Sequence, residues 1–448
     1  MPSGSYSVLI KNKISEFNKV IKVDSDKSIS IRSFLIGAIS NDISEIKNPL
    51  DSDDVRSCIR CLKKLGVKIK KNKNKSFLVF GKGLGSLYAK KNTILDCGNS
   101  GTLARLLIGI LSTTPNICVI VKGDKSLNKR DMSKLIKPMK EFGAHFFPEN
   151  KKNFPLKLIS SEMPIGIKYQ SGNSAQIKSA VIFAALNSFG NTSISEKLKT
   201  RNHTENILLK NSQVLNFEKN NSIKIYGKKF LNKINLKIPA DPSSSAFFAA
   251  MCLLNKKSKL QIKNICLNPR RVGFYDILKK HGAKIKILNK KKENNEIVGN
   301  VTIQSSKIRA LKAKPKYYLT ATDEYPIMFV IAALTNGVSK FNGISELANK
   351  ESNRILEMKK ILNKIGIRSK STKNSITIFG KKSISKKKSI IVVDSKNDHR
   401  IAMSCAILSL NSGVKFLIKG FETVKTSSPS FLNIIKKLGG KFEIKKTT

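Results

Sequence analysis

The segment Lys-Lys-Leu-Gly-Val-Lys-Ile at residues 63–69 decides the fold, because the chain repeats its pattern. A lysine-ended amphipathic helix stops at a glycine, and the chain continues directly into a strand. Glycine suits this position since it adopts the left-handed conformation without a Cβ clash, and lysine complements the helix dipole. The turn residues are Gly66, Gly143, Ser212 (a degraded copy), Gly282, Gly366 and Gly439. Their spacing of about 75 residues predicts six structural repeats.

Each repeat also contains an earlier helix that is apolar nearly all round. We predict these helices at residues 28–39, 101–111, 175–187, 243–254, 324–333 and 400–411. Such helices are expected to be buried, whereas the lysine-rich helices lie outside. Helix and strand signals alternate throughout, which indicates an α/β fold. Six repeats sharing two cores of three buried helices would form two lobes.

Composition excludes several classes of protein. The 448 residues are 40% hydrophobic, too many for a disordered chain, and the longest apolar runs are far shorter than the roughly 18 residues of a membrane span. The N-terminus has no signal-peptide pattern, and seven cysteines form no evident disulfide framework. We therefore expect a soluble, cytoplasmic protein without a metal site.

The formal charge of +54 raises the alternative of a nucleic-acid-binding repeat protein. The 84 basic residues include only 12 arginines, and the lysines are spread over the whole chain. Aromatic stacking platforms are scarce, since the chain has no tryptophan and eight tyrosines. The composition therefore favours a solvated lysine surface over nucleic-acid binding.

The turns that precede the buried helices carry cap-forming residues. They are Asp-Lys-Ser at 26–28, Gly-Asn-Ser-Gly-Thr at 98–102, Gly-Asn-Ser-Ala-Gln at 172–176, Asp-Pro-Ser-Ser at 241–244, Thr-Asp-Glu-Tyr-Pro at 322–326 and Asn-Asp-His-Arg at 397–400. N-capping alone would explain each of them. Helix N-termini also bind anions, and most of the scarce arginines lie in or near these turns. If the turns converge, they form a cleft for polyanionic small molecules.

One further motif combines an acid with two cations. Lys350, Glu351 and Arg354 occupy i, i+1 and i+4, and we expect Glu351 and Arg354 on one helical face. A surface salt bridge is the alternative interpretation.

Taken in order, the motifs closely resemble those of the 5-enolpyruvylshikimate-3-phosphate synthase family, from about residue 22 to residue 442. They are Asp26-Lys-Ser-Ile-Ser-Ile-Arg32, Gly98-Asn-Ser-Gly-Thr102, Lys129-Arg130, Ser174-Ala-Gln176, Arg201-Asn-His-Thr-Glu205, Asp241-Pro-Ser-Ser244, Asp323-Glu-Tyr-Pro326, Lys350-Glu-Ser-Asn-Arg354 and Asp398-His-Arg-Ile-Ala-Met403. The resemblance implies two lobes of three βαβαββ-type repeats around buried parallel helices, an inside-out α/β barrel. The lobes would comprise residues 26–240, and residues 1–25 with 241–448.

The resemblance also implies a reaction. The enolpyruvyl group of phosphoenolpyruvate would pass to the 5-hydroxyl of shikimate 3-phosphate with release of phosphate, in the shikimate pathway to chorismate and aromatic amino acids. The family precedent implies a monomer without a cofactor, whose partners are the two small-molecule substrates, with no nucleic acid and no membrane.

Roles are carried over position by position. The catalytic residues would be Asp323 as base, Glu351 as acid and Lys27. The residues expected to bind shikimate 3-phosphate are Lys27, Ser28, Arg32, Ser174, Ala175, Gln176, Arg201, Asp323 and Lys350. Those expected to bind phosphoenolpyruvate are Lys27, Gly101, Arg130, Gln176, Arg354 and Arg400.

The chain departs from the family pattern at several positions. The departures are Asp24-Ser25, Asp131, Asn202, Ala348, Asn353 and Ser428. Asn202 and Asn353 replace acids, so we expect Arg201 and Arg354 to be oriented more loosely. An inactive paralogue is therefore one alternative. UDP-N-acetylglucosamine enolpyruvyl transferase is another, disfavoured because that family typically has Lys-Asn where this chain has Lys27-Ser28.

Overall fold

The computed structural model describes residues 4–211, 213–218, 222–384 and 389–446. The chain divides into two compact units. Unit 1 comprises Met1–Asp24, Ala240–Lys291 and Ile297–Thr448, and unit 2 comprises Ser25–Pro239 and Lys292–Glu296. The predicted turn at Ser212 lies outside the described residues.

Helices and strands alternate along the chain. The helices are α1 (Lys27–Ile39), α2 (Asp53–Lys64), α3 (Gly101–Ser112), α4 (Ser133–Glu141), α5 (Ala175–Leu186), α6 (His203–Leu208), α7 (Pro242–Leu254), α8 (Gly273–Lys280), α9 (Tyr318–Ala321), α10 (Tyr325–Ala333), α11 (Arg354–Lys364), α12 (His399–Ser412) and α13 (Phe431–Lys437). The strands are β1 (Tyr6–Ile10), β2 (Asn18–Ile21), β3 (Ile43–Lys47), β4 (Lys68–Lys71), β5 (Ser76–Phe80), β6 (Thr93–Asp96), β7 (Cys118–Lys122), β8 (His145–Phe147), β9 (Leu156–Ile159), β10 (Lys168–Ser171), β11 (Asn191–Glu196), β12 (Leu215–Phe217), β13 (Ser222–Tyr226), β14 (Asn235–Lys237), β15 (Lys259–Cys266), β16 (Lys284–Glu293), β17 (Glu296–Gln304), β18 (Lys312–Ala313), β19 (Gly337–Asn342), β20 (Ser369–Thr372), β21 (Ser375–Gly380), β22 (Ile391–Asp394), β23 (Phe416–Lys419) and β24 (Glu443–Lys446).

The sheets of the described residues share one topology. Unit 2 contains the four-stranded sheets β14-β3-β5-β4, β6-β7-β9-β8 and β10-β11-β13-β12, and unit 1 contains β2-β15-β17-β16, β18-β19-β21-β20 and β22-β23-β1-β24. The first pair in each sheet is parallel and the second is antiparallel. Parallel partners need a crossover connection, and in four of these sheets a buried helix supplies it: α3, α5, α10 or α12. The other two parallel pairs, β14 with β3 and β2 with β15, join strands that are far apart in the chain. The predicted fold of three βαβαββ-type repeats in each of two lobes is confirmed.

The predicted buried helices are confirmed with small shifts at their ends. They are α1, α3 and α5 in unit 2, and α7, α10 and α12 in unit 1. Almost every residue of these helices is buried, including Phe247, Phe248 and Phe329 in unit 1. Burial of this apolar surface drives the packing of each core. Polar residues at the helix starts therefore stand out from otherwise apolar sequences.

The predicted glycine turns end the outer helices. Positive φ angles of 82°, 90°, 98°, 81° and 90° occur at Gly66, Gly143, Gly282, Gly366 and Gly439. A Cβ would be strained in this conformation, which explains why glycine recurs. No helix within the described ranges is long and apolar enough to cross a membrane.

Candidate functional site

The starts of the buried helices are capped as predicted, with one exception. The backbone N–H groups of Ile29, Leu103, Ile177, Ser243 and Arg400 donate to the side chains of Asp26, Ser100, Ser174, Asp241 and Asp398, at 2.8, 3.3, 3.4, 2.7 and 2.9 Å. The expectation is wrong for α10. That helix follows α9 after a short turn, and Glu324 at the capping position makes no capping hydrogen bond.

Arg354 gathers three carboxylates in unit 1. Its Nε donates to Asp398 Oδ2 at 2.9 Å, and its Nη2 donates to Glu351 Oε2 at 2.6 Å and to Asp398 Oδ1 at 3.3 Å. Its Nη1 lies 3.7 Å from Asp323 Oδ1. The predicted acid and base are thus held around one cation. The prediction that Glu351 and Arg354 share one helical face is wrong, because α11 begins at Arg354 and Glu351 precedes it.

The guanidinium of Arg354 stays charged despite its burial. Burial alone would lower its pKa, but Asp398 and Glu351 raise the pKa well above its ordinary value. The side chain of Asp398 is completely buried, whereas those of Asp323 and Glu351 are 25% and 15% exposed. Asp398 therefore orients the arginine, and the other two carboxylates can reach a ligand. Such an arrangement suits proton transfer to and from a bound molecule.

Arg400 provides a second buried cation in unit 1. Its side chain is 4% exposed, and Nε and Nη1 have no hydrogen-bond partner among the described residues. One face of the guanidinium lies 5.8 Å from the Phe247 ring. Buried donors without acceptors are costly and rare, so this guanidinium indicates an anion-binding position. Lys350, also predicted, is half-buried in the segment before α11.

Arg32 connects three helices of unit 2. It is 3% exposed, and its Nε donates to Thr204 Oγ1 at 2.8 Å. Its terminal nitrogens donate to Ser28 O and Ser179 Oγ, both at 3.1 Å. These partners belong to α1, α5 and α6, so one guanidinium holds the starts of the three helices together.

Two further arginines flank Gly101 at the start of α3. A Cβ at Gly101 would lie 2.7 Å from Arg105 Nη1 and 2.7 Å from Arg130 Nη1. Arg105 Nη1 also donates to Gln176 Oε1 at 2.8 Å, and Gln176 Nε2 donates to Thr102 Oγ1 at 2.8 Å. Glycine at this position lets two cations approach the N-terminus of α3. The helix N-terminus and the two cations together favour the binding of an anion. Arg105 is not among the predicted binding residues, although its position four residues after Gly101 places both on one helix face.

The remaining predicted residues of unit 2 also lie at helix starts. Lys27 is the first residue of α1, and its Nζ lies 3.1 Å from Asp54 Oδ2. Ser174 caps α5 and Ala175 begins it. Arg201 is half-buried and precedes α6 by two residues. Each of these residues is thus at, or just before, a helix N-terminus.

Three departures from the family pattern have local partners. Asn353 caps α11 by accepting from Leu356 N at 3.1 Å, a role that Asn and Asp fill about equally. Asn202 donates to Asn206 Oδ1 at 3.0 Å, and Ser428 donates to Asp24 Oδ2 at 2.9 Å. Arg354 itself contacts a different acid, because its Nε donates to the fully buried carboxylate of Asp398 at 2.9 Å.

Comparison with solved structures first defines the class. The enolpyruvyl transferase NikO from Streptomyces tendae has a TM-score of 0.76 at 12% identity, with 100% of both chains covered, so the fold is that of enolpyruvyl transferases. An EPSP synthase from Acinetobacter baumannii has a TM-score of 0.84 at 32% identity, covering 99% of this chain and 100% of that one.

Sequence comparison then defines the family. The model for EPSP synthase (3-phosphoshikimate 1-carboxyvinyltransferase) matches residues 11–435. Proteins named 3-phosphoshikimate 1-carboxyvinyltransferase from Caldicellulosiruptor bescii and Zymomonas mobilis are 37% and 33% identical, covering 94% and 97% of this chain and 96% and 97% of theirs. The chain belongs to the EPSP synthase family.

Proposed function

We propose that this chain transfers the enolpyruvyl group of phosphoenolpyruvate to the 5-hydroxyl of shikimate 3-phosphate. Phosphate is released, and the product continues through the shikimate pathway towards chorismate and the aromatic amino acids. Membership of the EPSP synthase family supports the reaction. The observation that carries it is the arrangement of Asp323 and Glu351 around Arg354.

The reaction is an addition followed by an elimination. Asp323 accepts the proton of the 5-hydroxyl while the hydroxyl oxygen of shikimate 3-phosphate attacks C2 of phosphoenolpyruvate. Glu351 delivers a proton to C3. The resulting intermediate loses a proton from C3 as the C2–O bond to phosphate breaks. Glu351 must be protonated to act as the acid, yet it lies beside Arg354, which favours the carboxylate. Bound anionic substrates would compensate that cation and make the acid available.

The binding roles follow from the charges of the substrates. Both substrates carry phosphate and carboxylate groups, which arginine and lysine bind through charge-assisted hydrogen bonds. For shikimate 3-phosphate we assign Lys27, Ser28, Arg32, Ser174, Ala175, Gln176, Arg201, Asp323 and Lys350. For phosphoenolpyruvate we assign Lys27, Gly101, Arg130, Gln176, Arg354 and Arg400. Buried donors of Arg400 support its role towards an anion.

Phosphate release by the purified chain tests this proposal. Release should require both substrates together, and omission of either one should abolish it. A folded chain that releases no phosphate from the complete mixture would contradict the proposal. We also propose a monomeric cytoplasmic enzyme, which light scattering of the purified chain and fractionation of cells would test.

A further inference from the structure

Three ionisable side chains lie together in the interior of unit 2, and none of them is among the residues assigned above. Lys178 of α5 places its Nζ 2.9 Å from Oε1 of Glu196, at the end of β11, and 2.5 Å from Oε1 of Glu205, in α6. The exposed fractions of the three side chains are 0%, 3% and 0%. We name this group the Lys178 triad. Its burial means that a ligand cannot touch it.

Stability alone does not explain the Lys178 triad. Buried ion pairs lose the hydration of every charge, and apolar side chains of similar volume often stabilise a fold as well or better. Burial tends to raise the pKa of Glu196, but Lys178 outweighs it and lowers the pKa below the ordinary value. Glu196 is therefore a carboxylate that faces the Lys178 Nζ. Ion pairs of this kind fix geometry, because a displaced partner leaves a buried charge uncompensated.

The Lys178 triad joins two turns that carry proposed substrate contacts. Lys178 lies in the first turn of α5, just after Ser174 and Gln176. Glu196 Oε1 accepts hydrogen bonds from the backbone N–H of Thr200 at 3.0 Å and from its hydroxyl at 2.9 Å. Thr200 directly precedes Arg201. Glu196 therefore fixes the backbone from which the Arg201 side chain extends.

A second set of contacts runs parallel to the first. Thr204 Oγ1 donates to Ser179 Oγ at 2.8 Å and accepts from Arg32 Nε at 2.8 Å. Ser179 and Thr204 are the sequence neighbours of Lys178 and Glu205. Neighbouring positions on α5 and α6 are thus joined twice, once by charges and once by hydroxyl groups. Relative movement of the two helices would break both sets.

We propose that the Lys178 triad positions Arg201 relative to the turn at 174–176 and so determines the affinity for shikimate 3-phosphate. The inference rests on the proposed function, because it takes these turns to hold that substrate. Lys178, Glu196 and Glu205 act only through the residues that they hold. Effective binding by a planar guanidinium depends on its alignment, and small displacements of contact groups cost large factors in affinity and rate.

Glu205→Gln tests the proposal with little change in shape. The variant keeps the pair of Lys178 and Glu196 but removes the charge that holds α6. Calorimetric titration with shikimate 3-phosphate alone should show a Kd raised about tenfold, with an equal rise in its KM. The KM for phosphoenolpyruvate and kcat should change by less than about twofold. Asp42→Asn is the matched control, since its ion pair with Lys233 is exposed, and its constants should equal those of the parent.

The outcomes separate a positioning role from a purely structural one. A lower melting temperature of Glu205→Gln with unchanged Kd and KM for shikimate 3-phosphate would show that the triad only stabilises the fold and would overturn the proposal. Equal rises in the KM values of both substrates would also overturn it. Because Lys178→Met leaves two carboxylates buried and threatens folding, Glu196→Gln serves as the second variant, and it should also raise the Kd. A folded parent without turnover would refute the proposed function together with the inference, whereas an active parent whose variants bind normally would refute the inference alone.

Discussion

Replacing Asp398 by Asn removes one charge from the group that holds Arg354. The Asp398 carboxylate accepts from Arg354 Nε at 2.9 Å, Arg354 Nη2 at 3.3 Å, Ser352 Oγ at 2.9 Å and Arg400 N at 2.9 Å. Asn can keep the cap of α12 through its oxygen. Its amide nitrogen would then occupy the position of Oδ2, facing the donors of Arg354 and Ser352.

The magnitude follows from the burial of the pair. Arg354 is 1% exposed and Asp398 is fully buried, so water cannot replace the lost contacts. Breaking a buried ion pair by removing one partner costs about 3–5 kcal/mol of unfolding free energy. For a cooperative unit of this size, that loss lowers the melting temperature by about 2–4 °C per kcal/mol. We also expect kcat to fall, because Arg354 loses the contact that orients it towards Asp323 and Glu351.

Urea unfolding followed by circular dichroism measures this loss. Asp394→Asn is the matched control, because Asp394 pairs with Lys396 at the surface and both side chains are 54% exposed. The control should remain within about 0.5 kcal/mol of the parent. Equal stability of Asp398→Asn and the parent, or an equal loss of stability in the control, would refute the role of the buried Asp398 carboxylate.

Three other changes give distinct expected results. Gly101→Ala places a methyl group 2.7 Å from nitrogens of Arg105 and Arg130, so the KM for phosphoenolpyruvate should rise while the KM for shikimate 3-phosphate stays unchanged. An unchanged ratio of the two KM values in steady-state kinetics would contradict this prediction. Arg400→Met removes buried unpaired donors, so it should stabilise unit 1 by about 1–3 kcal/mol while abolishing phosphate release; a loss of stability in thermal melting would contradict this. Burial raises the pKa of Asp24 above 3.8 despite hydrogen bonds from Ser430 and Ser428, so the protonated form favours folding. The contribution of this carboxyl group to the free energy of unfolding is present below pH 3.8 and is lost as the pH rises through the raised pKa. Asp24→Asn should remove that part of the pH dependence of unfolding. An unaltered pH profile of the variant would refute the assignment.

Local signals explain how much of the fold could be predicted. Glycine at positions such as Gly66 and Gly366 marks a left-handed turn that other residues adopt at a cost, so the ends of five outer helices are visible in sequence. The buried helices are equally evident from their continuous apolar character. Strand pairing is not local, however. Nothing in the residues of β1 shows that it lies between β23 and β24 at the opposite end of the chain.

The candidate site shows the same division between local and distant information. The family resemblance identifies Glu351, Arg354 and Asp323 as candidates, because their motifs follow the family order along the chain. Sequence spacing predicts a helical pair, whereas the structure joins Glu351 and Arg354 across a helix start and adds Asp398 from another repeat. Convergence of three separate segments on one guanidinium is a tertiary property. For the same reason the sequence does not show that Glu205 contacts Lys178, which lies 27 positions earlier.

Mass spectrometry of the product formed in D₂O tests the central claim most directly. If Glu351 delivers a solvent-exchangeable proton to C3 and the intermediate then loses one, the enolpyruvyl product should carry deuterium at C3. Glu351→Gln should form this product at least about 100-fold more slowly, the usual contribution of general acid catalysis. Formation of enolpyruvylshikimate 3-phosphate without any deuterium at C3, or at the parent rate by Glu351→Gln, would contradict the account.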